Sequence, residues 1–229
     1  WAPPLRRFLM KWDPSFVRVL LKLIRRTLGF LRHLSEEDAF ETLNQAMPHL
    51  DKLVAVGLDS SELGHPPAKF ARVFARAREL GLRCVAHAGE EGPPAYIWSA
   101  LDDLQAQRID HGVQATQDPA LMQRLAVQRV PLTVCPLSNV KLCVFPDLAH
   151  HNLPALLGAG LCASVHSDDP AYFGGYMNDN LLQIFAALPL HAGHAYQLAR
   201  NSFEASFASP AQKLKWMAEL DACFARFGA

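Results

Sequence analysis

No apolar run in this 229-residue chain approaches the ~20 residues needed to cross a membrane. No C-x-x-C pair occurs, and the five cysteines (Cys84, Cys135, Cys143, Cys162 and Cys223) are odd in number. Neither a disulfide framework nor a thiolate zinc site is therefore indicated, and a reducing, cytoplasmic setting is the expectation. Net charge is also absent, with 22 basic residues against 22 acidic ones. That balance argues against a chain that binds nucleic acid through its overall charge. No secretory apolar region opens the sequence, although its first 26 residues are basic and poor in acids, as in transit peptides.

What is present is a globular composition. Hydrophobic residues make up 50% of the chain, enough for a sizeable core, and the length suits one substantial domain. Charge is unevenly spread. Residues 1–26 hold Arg6, Arg7, Lys11, Arg18, Lys22, Arg25 and Arg26 against Asp13, a net of +6 that leaves −6 on the rest. Within "FVRVLLKLIRR", helical spacing puts Arg18, Lys22 and Arg25 on one side and Phe16, Leu20, Leu23 and Ile24 on another. A helix packed on the domain surface is expected there, with a helix lying on a membrane surface as the alternative.

From residue 27 onward, short β-rich runs recur about every 25 residues. They are "LGFLRH" (28–33), "KLVAVGLD" (52–59), "RCVAH" (83–87), "RIDHG" (108–112), "PLTVCP" (131–136) and "LCASVHS" (161–167). Helical patterns fill the gaps. Ser35 and Asp38 form a capping-box pattern before a helix at 36–47. "PPAKFARVFARARELG" predicts a helix burying Phe70, Val73, Phe74 and Ala77 and stopping at Gly81. Asp118 with Pro119, and Ser209 with Pro210, mark two further helix starts. Strands alternating with helices predict a parallel α/β domain over 27–229, after a basic helical segment at 1–26.

In such a domain functional groups gather at the carboxyl ends of strands. Four polar groups fall there: His87 and Glu90 in "HAGE", His111 in "RIDHG", "CPLSN" (135–139), and Asp168 with Asp169 in "SDDP". Each has an ordinary alternative. A strand-end histidine can be a hydrogen-bonded structural residue, "GEEG" a solvated loop, and "DDP" a turn or helix start. Their coincidence at four strand ends favours a site for metal-assisted hydrolysis. Zinc takes imidazole nitrogen and carboxylate oxygen and lowers the pKa of its water toward ~7. A nearby glutamate can donate a proton, and a nearby histidine can accept one.

"HAGE", "RIDHG", "CPLSN" and "SDDP", in this order and at these spacings, resemble the adenosine/adenine deaminase family of zinc-dependent hydrolases. "GLDSSELGHPP" (57–67) and "SDDPAYFGGYMNDN" (167–180) are similar to its adenine deaminase branch. The resemblance implies a (β/α)8 TIM-type barrel with one Zn2+ at the carboxyl end of the strands. By motif, His87 and Asp168 would be metal ligands and Glu90 the proton donor to the purine ring. His111 would orient and deprotonate the attacking water, and Asp169 would contact the purine. The implied reaction turns adenine, or adenosine, into the 6-oxo product and ammonia, with a small purine as the partner and no nucleic acid or membrane.

Two departures accompany the resemblance. The family's first strand carries an H-x-H pair that supplies two more zinc ligands, and this sequence has no H-x-H. With six strand candidates, the barrel is expected to be incomplete, its first two strands missing and its open edges inviting pairing with a second copy. One histidine and one aspartate fall short of the three protein ligands usual in catalytic zinc sites. Secondly, His166 stands where the family usually has asparagine. On an extended strand it would share a side with Asp168 and could replace a lost ligand, or it is a neutral change. Alternative functions are a non-catalytic truncated paralogue acting in interaction or oligomerisation, and another metal-dependent amidohydrolase. The nucleic-acid deaminases are excluded, because neither H-x-E nor P-C-x-x-C occurs.

Overall fold

The computed structural model describes residues 26–226. Of the basic segment 1–26, residues 1–25 and the expected helix lie outside the described residues, and Arg26 opens the first strand. Six strands alternate with helices: β1 (Arg26–Leu31), β2 (Leu53–Asp59), β3 (Arg83–Ala88), β4 (Arg108–His111), β5 (Pro131–Val134) and β6 (Cys162–Val165). They form one sheet in sequential order, and successive strands from β1 to β5 pair in parallel. Sequential parallel order requires a crossover between neighbours, and each crossover carries a helix.

The strands read as buried on both faces. Ala55, Val56, Gly57 and Leu58 of β2 are consecutive and all buried, as are Cys84, Val85 and Ala86 of β3. Such runs belong to parallel sheets covered on both sides, not to half-exposed antiparallel ones. The first helix, α1 (Glu36–Ala46), starts with the expected capping box, in which Ser35 Oγ accepts from the Asp38 amide and Asp38 accepts from the Ser35 amide. Helix α2 (Ala71–Glu79) buries Val73, Phe74 and Ala77 completely. The turn before it, Pro67–Phe70, is 3-10 rather than α, so the predicted helix begins one turn late. Asp118 caps α4 (Pro119–Gln128), which follows α3 (Pro94–Asp102), through the Ala120 and Leu121 amides.

The described chain divides into two compact units. The larger holds 26–134 and 155–163, and the smaller holds 135–154 and 164–226. Helix α6 (Leu153–Gly158) precedes β6; in the smaller unit α8 (Met177–Ala187) leads to α9 (Ala192–Ala205), which packs on α10 (Pro210–Ala225), with Tyr196 Oη donating to Asp221 at 2.6 Å and Ser209 capping α10. No disulfide joins any of the five cysteines, and Cys84, Cys135 and Cys162 are buried while Cys143 is exposed. No described helix is long and apolar enough to cross a membrane.

Three strand ends fall two residues short of the sequence expectation, the first being the run at 28–33, which leaves the sheet after Leu31. The run at 131–136 leaves the sheet after Val134, because Pro136 opens the helix α5 (Pro136–Lys141). The run at 161–167 leaves it after Val165, two residues short of Ser167.

Candidate active site

Parallel register sets the site in the larger unit. His87 on β3 pairs with Asp110 on β4, and Ala88 pairs with His111. His111 then turns out of the strand direction: its φ is +64°, and Gly112 follows at +71°. A left-handed backbone is uncommon for a residue with a side chain and clusters at functional sites. The turn brings the His111 ring to 5.0 Å from the His87 ring. It also sets His111 Nδ1 3.1 Å from Glu90 Oε1, with only 2% of the His111 side chain exposed. Glu90 is likewise buried. A buried imidazole against a buried carboxylate is an arrangement suited to moving protons.

His87 lies among acids. Its Nδ1 is 3.2 Å from Asp59 Oδ1 and 3.9 Å from Asp110 Oδ2. At this buried nitrogen neither contact is a well-formed hydrogen bond. Burial alone would push the imidazole down. The polar contact with Asp59 and the charges of Asp110, Asp59 and Glu90 outweigh it and raise the pKa to about 9. Asp110 shows the converse: burial works against its charged form, but His87, Arg108, the Thr133 hydroxyl and His111 hold its carboxyl below the ordinary range. Thr133 Oγ1 donates to Asp110 Oδ1 at 2.5 Å. An under-bonded imidazole nitrogen beside carboxylate oxygens is the donor chemistry that a zinc ion takes.

Two further buried charges support these groups. Arg32, just past β1, is fully buried; its Nε donates to the His65 carbonyl at 2.9 Å and its Nη1 to the His87 carbonyl at 2.8 Å. Burial pulls its pKa below the ordinary value, against the opposing charge of Glu62. Glu62, just past β2, accepts from the amides of Gly89, Glu90 and Gly92 at 3.0, 3.2 and 2.7 Å.

In the smaller unit the exit of β6 carries the other motif. Asp168 has a φ of +55° and is exposed. Asp169 caps the short helix α7 (Pro170–Phe173), its Oδ1 accepting from the Ala171 and Tyr172 amides. The helix-start reading of "DDP" is thus realised, while Oδ2 takes no part in the cap. The expectation that His166 and Asp168 share a strand face is corrected. The strand has ended at Val165, and the left-handed turn at Asp168 breaks the alternation on which the expectation rested. His166 Nε2 instead lies 2.8 Å from Ser164 Oγ. In "CPLSN", Asn139 is buried, its Oδ1 3.3 Å from His151 Nε2, and the Leu137 amide donates to Asn180 Oδ1 at 3.3 Å.

The structure therefore brings His87, Glu90 and His111 together in one unit and sets Asp168 beside Asp169 in the other. Sequence reasoning missed Arg32, Asp59, Glu62 and Asp110. All four stand at or just beyond strand ends, the signal that identified the others.

Comparison with known proteins identifies the lineage. Residues 17–223 match the family model described as adenosine deaminase. An adenine deaminase of Albidiferax ferrireducens is 70% identical over 200 residues, covering 87% of this chain and 58% of that protein. A crystal structure of adenine deaminase from Arthrobacter aurescens superposes with a TM-score of 0.83 at 48% identity, over 86% of this chain and 60% of that one. A zinc-bound amidohydrolase from Burkholderia ambifaria, at 24% identity and a TM-score of 0.81, shares the fold. The chain thus spans less than two thirds of the relatives it matches, and its six parallel βα units agree with part of the expected (β/α)8 barrel. Taken with "HAGE", "RIDHG", "CPLSN" and "SDDP", these matches place the chain in the adenosine deaminase family.

Proposed function

We propose that this chain carries the proton-handling half of a zinc-dependent adenine deaminase, hydrolysing adenine to hypoxanthine and ammonia. The observation that carries the reading is the buried contact of Glu90 Oε1 with His111 Nδ1 at 3.1 Å, beside the His87 ring. Relatives named adenine deaminase at 62–70% identity support the choice of purine base.

In this reading His87 and Asp168 would hold the zinc. When bound, the ion supplies the Lewis acidity that makes water nucleophilic at neutral pH. His111 accepts the proton that water loses as its oxygen adds to the amino-bearing ring carbon. Glu90, protonated, delivers a proton to the adjacent ring nitrogen. The C–N bond then breaks as His111 returns its proton to the departing amino group, which leaves as ammonia, while the hydroxyl proton passes to Glu90 and the 6-oxo purine remains. Asp169 accepts a hydrogen bond from the purine through Oδ2, the oxygen its cap does not use. Burial of Glu90 and His111 keeps bulk solvent from exchanging the protons they carry.

The chain has no H-x-H, so zinc on one histidine and one aspartate should bind weakly and require excess metal. The test is ammonia release and ultraviolet absorbance with adenine and with adenosine, at saturating zinc. Faster turnover of adenine supports the reading, and preference for adenosine overturns the substrate. Inert protein at saturating zinc overturns catalysis and favours the second reading that the missing H-x-H motivates, a non-catalytic paralogue that self-associates. A cytoplasmic setting fits thiols that form no disulfide.

A further inference from the structure

Glu62 is an acid in a place acids rarely occupy. It is 2% exposed, in the loop after β2, and no lysine or arginine lies within ion-pair distance among the described residues. A buried carboxylate without such a partner is costly unless its oxygens are hydrogen-bonded. Here three backbone amides meet it, and all belong to one short loop: Gly89 and Gly92 on Oε2, Glu90 on Oε1. Amide donors converging on one anion make a strong, geometrically demanding cradle.

The loop is shaped around this carboxylate. A side chain at Gly92 would collide with Glu62 Oε2 and the Tyr96 ring, and Gly89 sits at φ +70° with Ile97 where a Cβ would go. From the other side, Gln114 Nε2 donates to the Glu90 carbonyl at 3.0 Å, and the Gln114 amide donates to the Gly89 carbonyl at 2.9 Å. Backbone donors and acceptors of Glu90 are thus both engaged, while its side chain is left to face His111. Arg32, whose guanidinium feels the Glu62 charge, holds the His87 carbonyl three residues earlier.

We propose that Glu62 is a positioning residue: its carboxylate gathers the amides of Gly89, Glu90 and Gly92 and so fixes the backbone that aims Glu90 at the purine ring. The aiming rests on the deaminase reading above, whereas the backbone clamp does not. The energetic leverage is large, because misplacing a reacting group by ~1 Å can cost ~100-fold in rate.

Amide hydrogen exchange on the chain tests the clamp without reference to activity. The Gly89, Glu90 and Gly92 amides lie outside helices and strands, yet they should exchange at least about tenfold more slowly than the adjacent Glu91 amide, since hydrogen bonds to a charged group are the stronger kind. Exchange as fast as that of Glu91 at all three overturns the proposal, and this arm stands even if a variant fails to fold. Glu62→Gln keeps the shape but replaces one acceptor oxygen with a donor. It should speed exchange at these three amides about tenfold while leaving Val85 and Ala86 unchanged. Loss of protection spread evenly over the unit would mean a merely structural role and overturns the proposal. With adenine, kcat of Glu62→Gln should fall ~10- to 100-fold with KM within about threefold, and an unchanged kcat overturns the aiming role. If unaltered protein is inert on adenine at saturating zinc, the deaminase reading fails while the exchange pattern still decides the clamp.

Discussion

His151 in the smaller unit is buried, His87 in the larger one buries its Nδ1 while 29% of its side chain stays exposed, and their imidazoles respond in opposite senses. Around His151 lie the Phe145 ring at 4.4 Å, the Asn139 side chain and the Leu153 amide, which donates to Nδ1 at 3.0 Å. None of these carries charge, so burial alone acts and the pKa falls to about 4. Around His87 stand Asp59, Asp110 and Glu90, and the cost of burial is outweighed, so the pKa rises to about 9. Burial thus does not decide a histidine's state; what shares the burial does. The first environment makes a neutral packing residue that ties a turn together. The second collects negative charge where a cation, whether proton or metal, is stabilised.

The comparison can be broken at several points. The largest effect expected is on Glu90, one of the acids that set the second environment. Glu90→Gln keeps its shape but cannot supply a proton, so deamination at saturating zinc should fall ~100- to 10,000-fold. Steady-state ammonia release measures this, and near-normal turnover would remove Glu90 from the chemistry.

The next effect is pH-dependent stability, with opposite sign for the two histidines. His151 has a folded pKa below its unfolded value near 6.5, so the unfolded chain binds the extra proton between about 6.5 and 4. Its contribution is complete above about 6.5 and is lost as pH falls toward 4, on the order of 3 kcal/mol. Denaturation midpoints followed across that range should flatten in His151→Asn. In metal-free protein His87 works the other way. Its contribution is complete below about 6.5 and is lost as pH rises through about 9, so His87→Asn should flatten the alkaline side. Equal flattening on the same side in both variants would mean that the acids around His87 do not govern its charge.

The smallest effect expected is at Asp169. Asparagine caps a helix as well as aspartate does, so Asp169→Asn should keep α7 while weakening only the hydrogen bond to the purine proposed above. A rise in KM of about tenfold, with thermal stability unchanged, is the expected outcome.

The fold was largely legible in the sequence. All six β-rich runs became strands, because runs buried on both faces and spaced by helices have few other ways to pair. Helix starts at Ser35, Asp118 and Ser209 were legible because caps are local chemistry. The exits of β5 and β6 were less so: Pro136 recruits its neighbours into a helix, and Asp168 adopts a left-handed turn that no periodicity announces. His87, Glu90 and His111 could be named as candidates because each sits at a strand end. Arg32 and Glu62 also lie just past strand ends, but what they hold could not be read, since Arg32 reaches His87 across 55 residues and Glu62 reaches Glu90 across 28. Contacts of that span depend on register between strands, which a linear reading does not supply.

The thiols described with the fold give the molecule an internal reporter. Cys84 sits inside β3, where burial raises its pKa and suppresses the reactive thiolate, whereas Cys143 is open to water. An alkylating reagent added to folded protein therefore meets Cys143 at once and Cys84 only when the strand bearing His87 opens. The ratio of label at the two positions becomes a clock for the integrity of the sheet under the site, readable by mass spectrometry without substrate or metal.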